Sequence, residues 1–234
     1  MTSHLLPVTV VVITDRNDER LQRCLASVSW AKEVLVEDYS GQKITDFSLV
    51  RNLVLQKVSQ PWILFLDSDE WLEDKAATEI AHAITQPCQG FYLQRKDIFL
   101  NKVMNWGEVR NVWLLRLARR GAIHFKRAVH EVPQVGPATA RLESLIYHHS
   151  HLSQTDFMSK VSYYASLEAK QRPPLSKSSL LLQLLFFPPG KLLYNLFIKL
   201  GFLDGWRGIV YIWMMSLHSL LVRVYQYENK TVAK

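Results

Sequence analysis

Apolar and polar positions divide the 234-residue chain into two differently patterned parts. In the first part, short β-branched or aliphatic runs alternate with segments of helical period. Residues 8–13 (VTVVVI) predict a strand. Leu21, Cys24, Leu25 and Val28 recur at helical spacing, and residues 33–38 (EVLVED) predict a second strand that ends in acids. Strand, helix and strand within forty residues form a βαβ unit with a right-handed crossover. Leu49, Leu53, Val54 and Val58 predict a helix that carries Arg51 and Asn52. It leads into residues 62–66 (WILFL), a run read as a strand covered on both faces in a mostly parallel sheet. Ala76, Ile80, Ala83 and Ile84 give a further helix, residues 90–93 a strand, residues 113–117 a strand or a short helix, and residues 145–151 close the sheet region. From Asp156 the pattern turns helical. Phe157, Val161, Tyr164 and Leu167 share one face, and the helix breaks near Pro173-Pro174. Apolar segments 180–187 and 192–200 are then separated by Pro188-Pro189-Gly190, and residues 208–225 form a last apolar helix. The expected class is α/β with a helical, amphipathic appendage, divided into domains 1–152 and 153–234.

Composition adds an asymmetry. Apolar residues make up 48% and charged residues 21%, the balance of a folded protein rather than a disordered one. Formal net charge is +7. Residues 151–234 hold ten Lys/Arg against four Asp/Glu, so +6 of it lies in the last third. That predicts a basic appendage meeting an anionic partner, a phospholipid surface or a nucleic acid. Cys24 and Cys88 are far apart and match no C-x-x-C, and are read as reduced, buried hydrophobes. The N-terminus has no basic leader or cleavage site. The longest charge-free runs, 178–190 and 209–222, fall short of the ~20 apolar residues of a standard span. A cytoplasmic, peripheral location is expected.

Three constellations bear on chemistry. Residues 67–70 (DSDE) place three acids at the carboxyl end of a buried strand, where open α/β sheets bind ligands. Alternation along an extended backbone would put Asp67 and Asp69 on one side, where their oxygens can hold a divalent cation and through it a phosphate. A solvated strand end that caps the next helix through Ser68 or Asp69 is the other reading. Asp38 ends a neighbouring strand and can face a base or ribose. Glu131 can serve as general base on an acceptor hydroxyl, or pair with Arg127 at the surface. Gln134 stands where H-E-x-x-H needs its second His, which excludes that zinc-protease pattern. Among His148, His149 and His151, His148 is the candidate to complete the coordination begun by Asp67 and Asp69. Arg110, Arg116, Arg119 and Arg120 either neutralise a diphosphate or line a solvated face. No G-x-G-x-x-G follows the first strand and no Walker sequence is present, which argues against dinucleotide cofactors and ATPase chemistry.

In order along the chain, ITDRNDERLQRCLASVSWAKEVLVED, DFSLVRN, WILFLDSDE, LLRLARR, VHE, LIYHHSHLSQTDFMSKVSYY and GFLDGWRG resemble the family 2 glycosyltransferases, most closely the lipopolysaccharide core β-glucosyltransferase type. The resemblance implies a GT-A fold, a nucleotide-sugar donor with a UDP-sugar as first choice, and a Mg2+ or Mn2+ ion. Carried over by position, Asp38 contacts the nucleotide, Asp67 and Asp69 are the D-x-D that binds metal and diphosphate, Glu131 is the base, and His148 matches a downstream metal-binding His. Asn17 and Arg51 fall on the nucleotide side. Only residues 39–46 separate the second strand from the R-N segment, so a helix and a strand of the nucleotide-binding half are missing. The usual N-E-E is displaced to Asn17-Asp18-Glu19. The implied reaction is inverting, metal-assisted transfer of a hexose to a hydroxyl of a lipid-linked saccharide, at the inner face of the cytoplasmic membrane and without nucleic acid. A polyprenyl-phosphate glycosyltransferase, or a non-catalytic membrane-associated descendant, is the alternative. Phe186, Phe187, Tyr194, Phe197, Trp206, Tyr211 and Trp213 interleave with Lys177, Lys191, Lys199 and Arg207, which suits helices in a membrane interface or helices packed on the catalytic domain.

Overall fold

The computed structural model describes residues 5–15, 17–41, 46–126, 132–149, 151 and 153–232. Glu131 lies outside them. The elements run β1 (Leu6–Thr14), α1 (Glu19–Ser27), β2 (Ala31–Asp38), α2 (Phe47–Val54), β3 (Trp62–Asp67), β4 (Glu70–Leu72), α3 (Ala76–Ala83), β5 (Gly90–Phe99), β6 (Lys102–Val103), β7 (Val112–Arg119), β8 (His124–Lys126), β9 (Val132–Gln134), β10 (Thr139–His148), α4 (Gln154–Gln171), α5 (Lys177–Leu193) and α6 (Trp206–Val232).

Sequence gives the centre of the sheet directly. Val8, Val10, Val11 and Val12 of β1 and Ile63, Leu64, Phe65 and Leu66 of β3 are buried, because these strands are covered on both faces. One face packs Val8, Val10, Val12, Leu64 and Leu66 with Leu21 and Cys24 of α1 and Ile80 of α3. The other packs Val11, Ile63 and Phe65 with Val50 and Val54 of α2 and Phe125 of β8. Strand order is β2-β1-β3-β7-β5-β10-β4, with β8 and β9 paired separately. The class is the expected α/β sheet with flanking helices, but the sheet is mixed rather than mostly parallel. β1 pairs in parallel with β2 and β3, whereas β3–β7, β5–β7 and β10–β4 are antiparallel. The short connections after β5 and β7 leave no crossover helix, and antiparallel neighbours need none. β2 is the sheet edge, and its Val34 and Val36 are exposed.

Two further expectations change. Residues 68–69 form a tight turn into β4, so Asp67 and Asp69 do not lie on one extended strand, and neither Ser68 nor Asp69 caps the next helix, whose N-cap is Lys75. Cys24 is buried but Cys88 is only half-buried; both thiols are free.

The chain forms two compact units: residues 1–96 with 111–149, and residues 97–110 with 150–234. The second therefore includes a segment, 97–110, that the sequence reading placed in the first domain. Within it, Phe157 and Val161 of α4 pack with Phe99, Met104, Tyr211 and Met214. Asp204 is buried in a turn before α6, where its Oδ2 accepts the backbone N–H groups of Asn105 and Trp106 at 2.9 and 2.8 Å. Gly201 lies so close to Ile212 and Gly107 that a side chain there would collide. The predicted break at Pro188-Pro189-Gly190 is absent. α5 runs through both prolines and continues as a π-helical turn, Tyr194–Ile198. The reading that this region is too short for a span also changes. Lys177–Ile198 and Trp206–Lys230 are helices of 22 and 25 residues, long and apolar enough to cross a membrane by length and composition.

Replacing Asp204 by Ala removes the acceptor that ties residues 105–106 to the helices. The expected loss is about 1.5–3 kcal/mol of unfolding free energy, with a smaller loss for Asp204→Asn. Urea denaturation of the full chain measures both.

Candidate active site

Three strand ends assemble one rim. Parallel pairing sets Thr14 opposite Asp38 and Ile13 opposite Asp67, so both acids flank the end of β1. Asp38 is exposed, and its Oδ1 accepts both the backbone N–H (2.7 Å) and the hydroxyl (2.5 Å) of Ser40. Those bonds hold its carboxyl below the usual carboxylate range. Asn17 is also exposed, in the β1–α1 connection, with its side-chain oxygen accepting from Gln22 Nε2 at 3.3 Å.

Asp67 is held differently. Its Oδ1 accepts from Arg51 Nη2 and its Oδ2 from Arg116 Nη2, each at 2.8 Å. The same Arg116 nitrogen reaches Glu70 Oε1 at 2.6 Å, while Glu70 Oε2 accepts the backbone N–H of Asp67 at 3.1 Å. Arg51, Arg116 and Glu70 are buried, whereas the Asp67 side chain keeps 38% of its surface exposed. Arg51 also lies 5.3 Å from the Phe65 ring and 5.4 Å from that of Phe125. Burial alone would push the Asp67 carboxyl up, but Arg116 and Arg51 outweigh it and hold it far below the usual range. Complete burial pushes Glu70 up; Arg116 opposes this and the charge on Asp67 adds to it. Glu70 thus closes the 67–70 turn from inside, and Arg116 straps both of its ends.

The turn sets Asp69, half-buried, beside the end of β10. Its carboxylate lies 3.5 Å from His148 Nε2, and its carbonyl accepts the His149 N–H at 2.9 Å. Register places His148 opposite Glu70, which is why the end of β10 meets this turn. The other histidines diverge. His149 is half-buried, and its pKa is lowered first by burial and then by Arg20 and Arg23. His151 belongs to the second unit and stacks on Phe157.

The expected three-residue metal set, Asp67, Asp69 and His148, therefore does not assemble: among the described residues no group of three or more His, Cys, Asp or Glu is arranged to hold a metal ion. Asp67 has both oxygens on arginines, which compete with any cation. Asp69 with His148 remains a fitting pair, since Mg2+ and Mn2+ are commonly held by one or two protein ligands plus phosphate oxygens and water. The other arginines are not poised for a diphosphate either. Arg119 donates to the carbonyls of Cys88 and Gln86, Arg120 donates to the carbonyl of Ser59, and Arg110 lies over Trp106. A cavity of about 570 Å3, lined by Tyr92, His124, Gln134 and Thr139 among others, opens toward the other end of β10 from His148. Arg116 and Glu70 were visible in the sequence only as members of a basic run and an acidic run; the acid directly after D-x-D, beside a three-residue strand, was the signal for the turn.

No family model matches the chain. It is 28% identical over 233 residues to the lipopolysaccharide core biosynthesis glycosyltransferase LpsC of Rhizobium meliloti (strain 1021), covering 86% of this chain and 83% of that protein. In sequence, then, the chain is similar to a glycosyltransferase. A TPR repeat-containing protein of Synechococcus elongatus is 32% identical over 146 residues, 53% of this chain and 35% of that protein. Among solved structures, S. aureus TarS 1–349 is similar at a TM-score of 0.43 and 11% identity, and its complex with UDP-GlcNAc at 0.45 and 10%, each spanning 96% of this chain and 91% and 92% of the other.

Arg116→Met leaves Glu70 buried without its cation. The expected cost is about 3–5 kcal/mol, most of it recovered in Arg116→Met/Glu70→Met, because removing both charges abolishes the unpaired one. Denaturant titration of the two variants measures the difference.

Proposed function

We propose that the chain is an inverting glycosyltransferase that moves a hexose from a nucleotide sugar, a UDP-sugar first, to a hydroxyl of a lipid-linked saccharide of the lipopolysaccharide core. The observation that carries this reading is the paired Asp69 and His148 beside an arginine-locked Asp67 at the carboxyl rim of the sheet. The LpsC similarity supports the pathway and the UDP complexes of TarS are compatible with the donor.

Asp38, fixed by Ser40, accepts hydrogen bonds from the nucleoside, with Asn17 alongside. Asp69 and His148 would hold a Mg2+ or Mn2+ ion, which when bound screens the diphosphate and acts as a Lewis acid toward the leaving group. Asp67 keeps its orientation through Arg51 and Arg116 and meets the donor with the exposed part of its carboxylate; Arg51 acts through Asp67 rather than on the nucleotide. Glu131, which follows β8 and directly precedes β9 in sequence, takes the proton from the acceptor hydroxyl as that oxygen attacks the anomeric carbon. Alignment of donor and acceptor supplies the rest. The enzyme works in the cytoplasm at the membrane surface, where a lipid-linked acceptor is found.

Calorimetry with UDP, with and without Mn2+, tests the donor side. The wild type is expected to bind UDP more tightly with Mn2+, and Asp69→Asn and His148→Ala to lose that metal-dependent increment. Equal affinity with and without metal in the wild type would overturn the metal-assisted reading. Glu131→Gln is expected to lower hydroxyl transfer by about 10²–10⁴-fold while leaving UDP affinity unchanged. Undiminished transfer in that variant would remove Glu131 as base and favour an acceptor that is already anionic.

A further inference from the structure

The second unit has a face that water does not explain. Across α5 and the turn that continues it, the exposed residues between 181 and 198 are Leu181, Leu182, Leu185, Phe186, Phe187, Pro189, Gly190, Leu193, Tyr194, Phe197 and Ile198. None is charged. Leu181 is 69% exposed, Phe186 62% and Phe197 59%. A surface helix of a soluble protein carries its polar residues on this side, and a contiguous apolar face of such length marks an interaction site. The same face continues past the turn through Phe202, Leu203, Trp206, Ile209 and Trp213, all exposed. Only 11% of the α5 window is buried, so α5 is not a core helix.

The charged residues lie instead on α4, the other helix that α6 contacts. α6 packs against α4 through Phe157, Val161, Ala165 and Ala169, and α4 carries Asp156, Lys160, Glu168 and Lys170. Lys160 pairs with Asp156, Glu168 with Arg172 and with His218 of α6. α6 packs on α5 through Ser216, whose hydroxyl donates to the Pro188 carbonyl at 2.7 Å, and Lys230 donates to the Leu175 carbonyl, also at 2.7 Å. The unit is thus amphipathic as a whole. If α5 and α6 crossed a bilayer, the charged α4 would be drawn across beside α6. Lys191, two-thirds of the way along the helix and paired with Glu108 at 3.0 Å, would be drawn in as well. Pro188 and Pro189 add to this. Lacking N–H groups, they leave the Leu184 and Leu185 carbonyls without the partner a helix supplies, near the centre of Lys177–Ile198. A mid-bilayer position would strand those carbonyls in hydrocarbon, whereas a shallow one leaves water within reach.

We infer that α5 and the start of α6 lie in the plane of one phospholipid leaflet, immersed to headgroup and upper-acyl depth, with Lys177, Lys199 and Arg207 meeting anionic headgroups. The occupant is a bilayer rather than a second copy of the chain, because bases at both ends of an apolar face and a Tyr/Trp set suit an anionic interface, and +6 of the net charge lies in this part. This deepens the membrane-surface reading above and depends on it.

The test uses the full chain with Cys88→Ser and vesicles of phosphatidylethanolamine with phosphatidylglycerol. The protein is expected to sediment with these vesicles and less with phosphatidylcholine. Phe186→Asp/Phe197→Asp, at exposed positions, is expected to reduce partitioning at least tenfold with donor hydrolysis unchanged. Nitroxides at 182, 197 and 159 then report depth. Positions 182 and 197 are fifteen residues apart, about 22 Å along a helix axis at 1.5 Å per residue. In-plane immersion gives them equal depth within ~5 Å, with position 159 of α4 in water. Vesicle binding with depths differing by about 20 Å would overturn the in-plane placement and leave the membrane reading standing. Absence of vesicle binding, with the face covered in a soluble dimer or not, would overturn both.

Discussion

Two arginines on one aspartate set the terms for the site. Arg51 and Arg116 each donate to Asp67 at 2.8 Å, and Glu70, fully buried, takes the remaining reach of Arg116 at 2.6 Å. The four formal charges sum to zero. Without that balance, a buried carboxylate or guanidinium would carry a desolvation penalty of several kcal/mol per ion. The network therefore explains why a strand as apolar as β3 can end in an acid that stays ionised. It also explains the division of labour between the two acids of D-S-D. Asp67 is compensated by protein cations from within the fold, and Asp69, one turn-residue later, faces His148 instead of an arginine. A single electrostatic arrangement thus separates a carboxylate paired with arginines from one that lies beside a histidine.

The sheet centre was legible because burial on both faces demands continuous apolar strands, and β1 and β3 are written that way. α1 was legible for the complementary reason, a buried stripe at Leu21 and Cys24 with a polar remainder; α2 was legible as a helix but not by its face, since Leu49 and Leu53 of the expected stripe are exposed and Val50 and Val54 are buried. β4 was not, because three residues beginning with a buried glutamate carry no period, and only the Arg116 contact makes burial of that glutamate tolerable. The direction of β7 and β5 was invisible too, since periodicity says nothing of parallel or antiparallel pairing. At the site, residue types were readable and partnerships were not. Sequence could place Asp67, Asp69 and His148 near one another, but arginines 16 positions before and 49 positions after Asp67 take both of its carboxylate oxygens.

The helical region shows the reverse error. Pro188-Pro189-Gly190 is a strong local stop signal, and a proline inside a helix is disfavoured by about 3 kcal/mol relative to Ala. α5 nevertheless continues, because the segment is held from outside itself: the Pro188 carbonyl takes the Ser216 hydroxyl, Arg223 lies 4.6 Å from the Phe187 ring, and Asn195, just beyond, is buried. Tertiary contacts on one side override the local preference and leave the other side apolar. The prolines then acquire a different significance. They do not end the helix, but by withholding two N–H groups they favour surroundings that retain some water. The basic excess and the exposed aromatic face belong to one folded unit, so the apolar surface and the charge that flanks it are carried by the same helices.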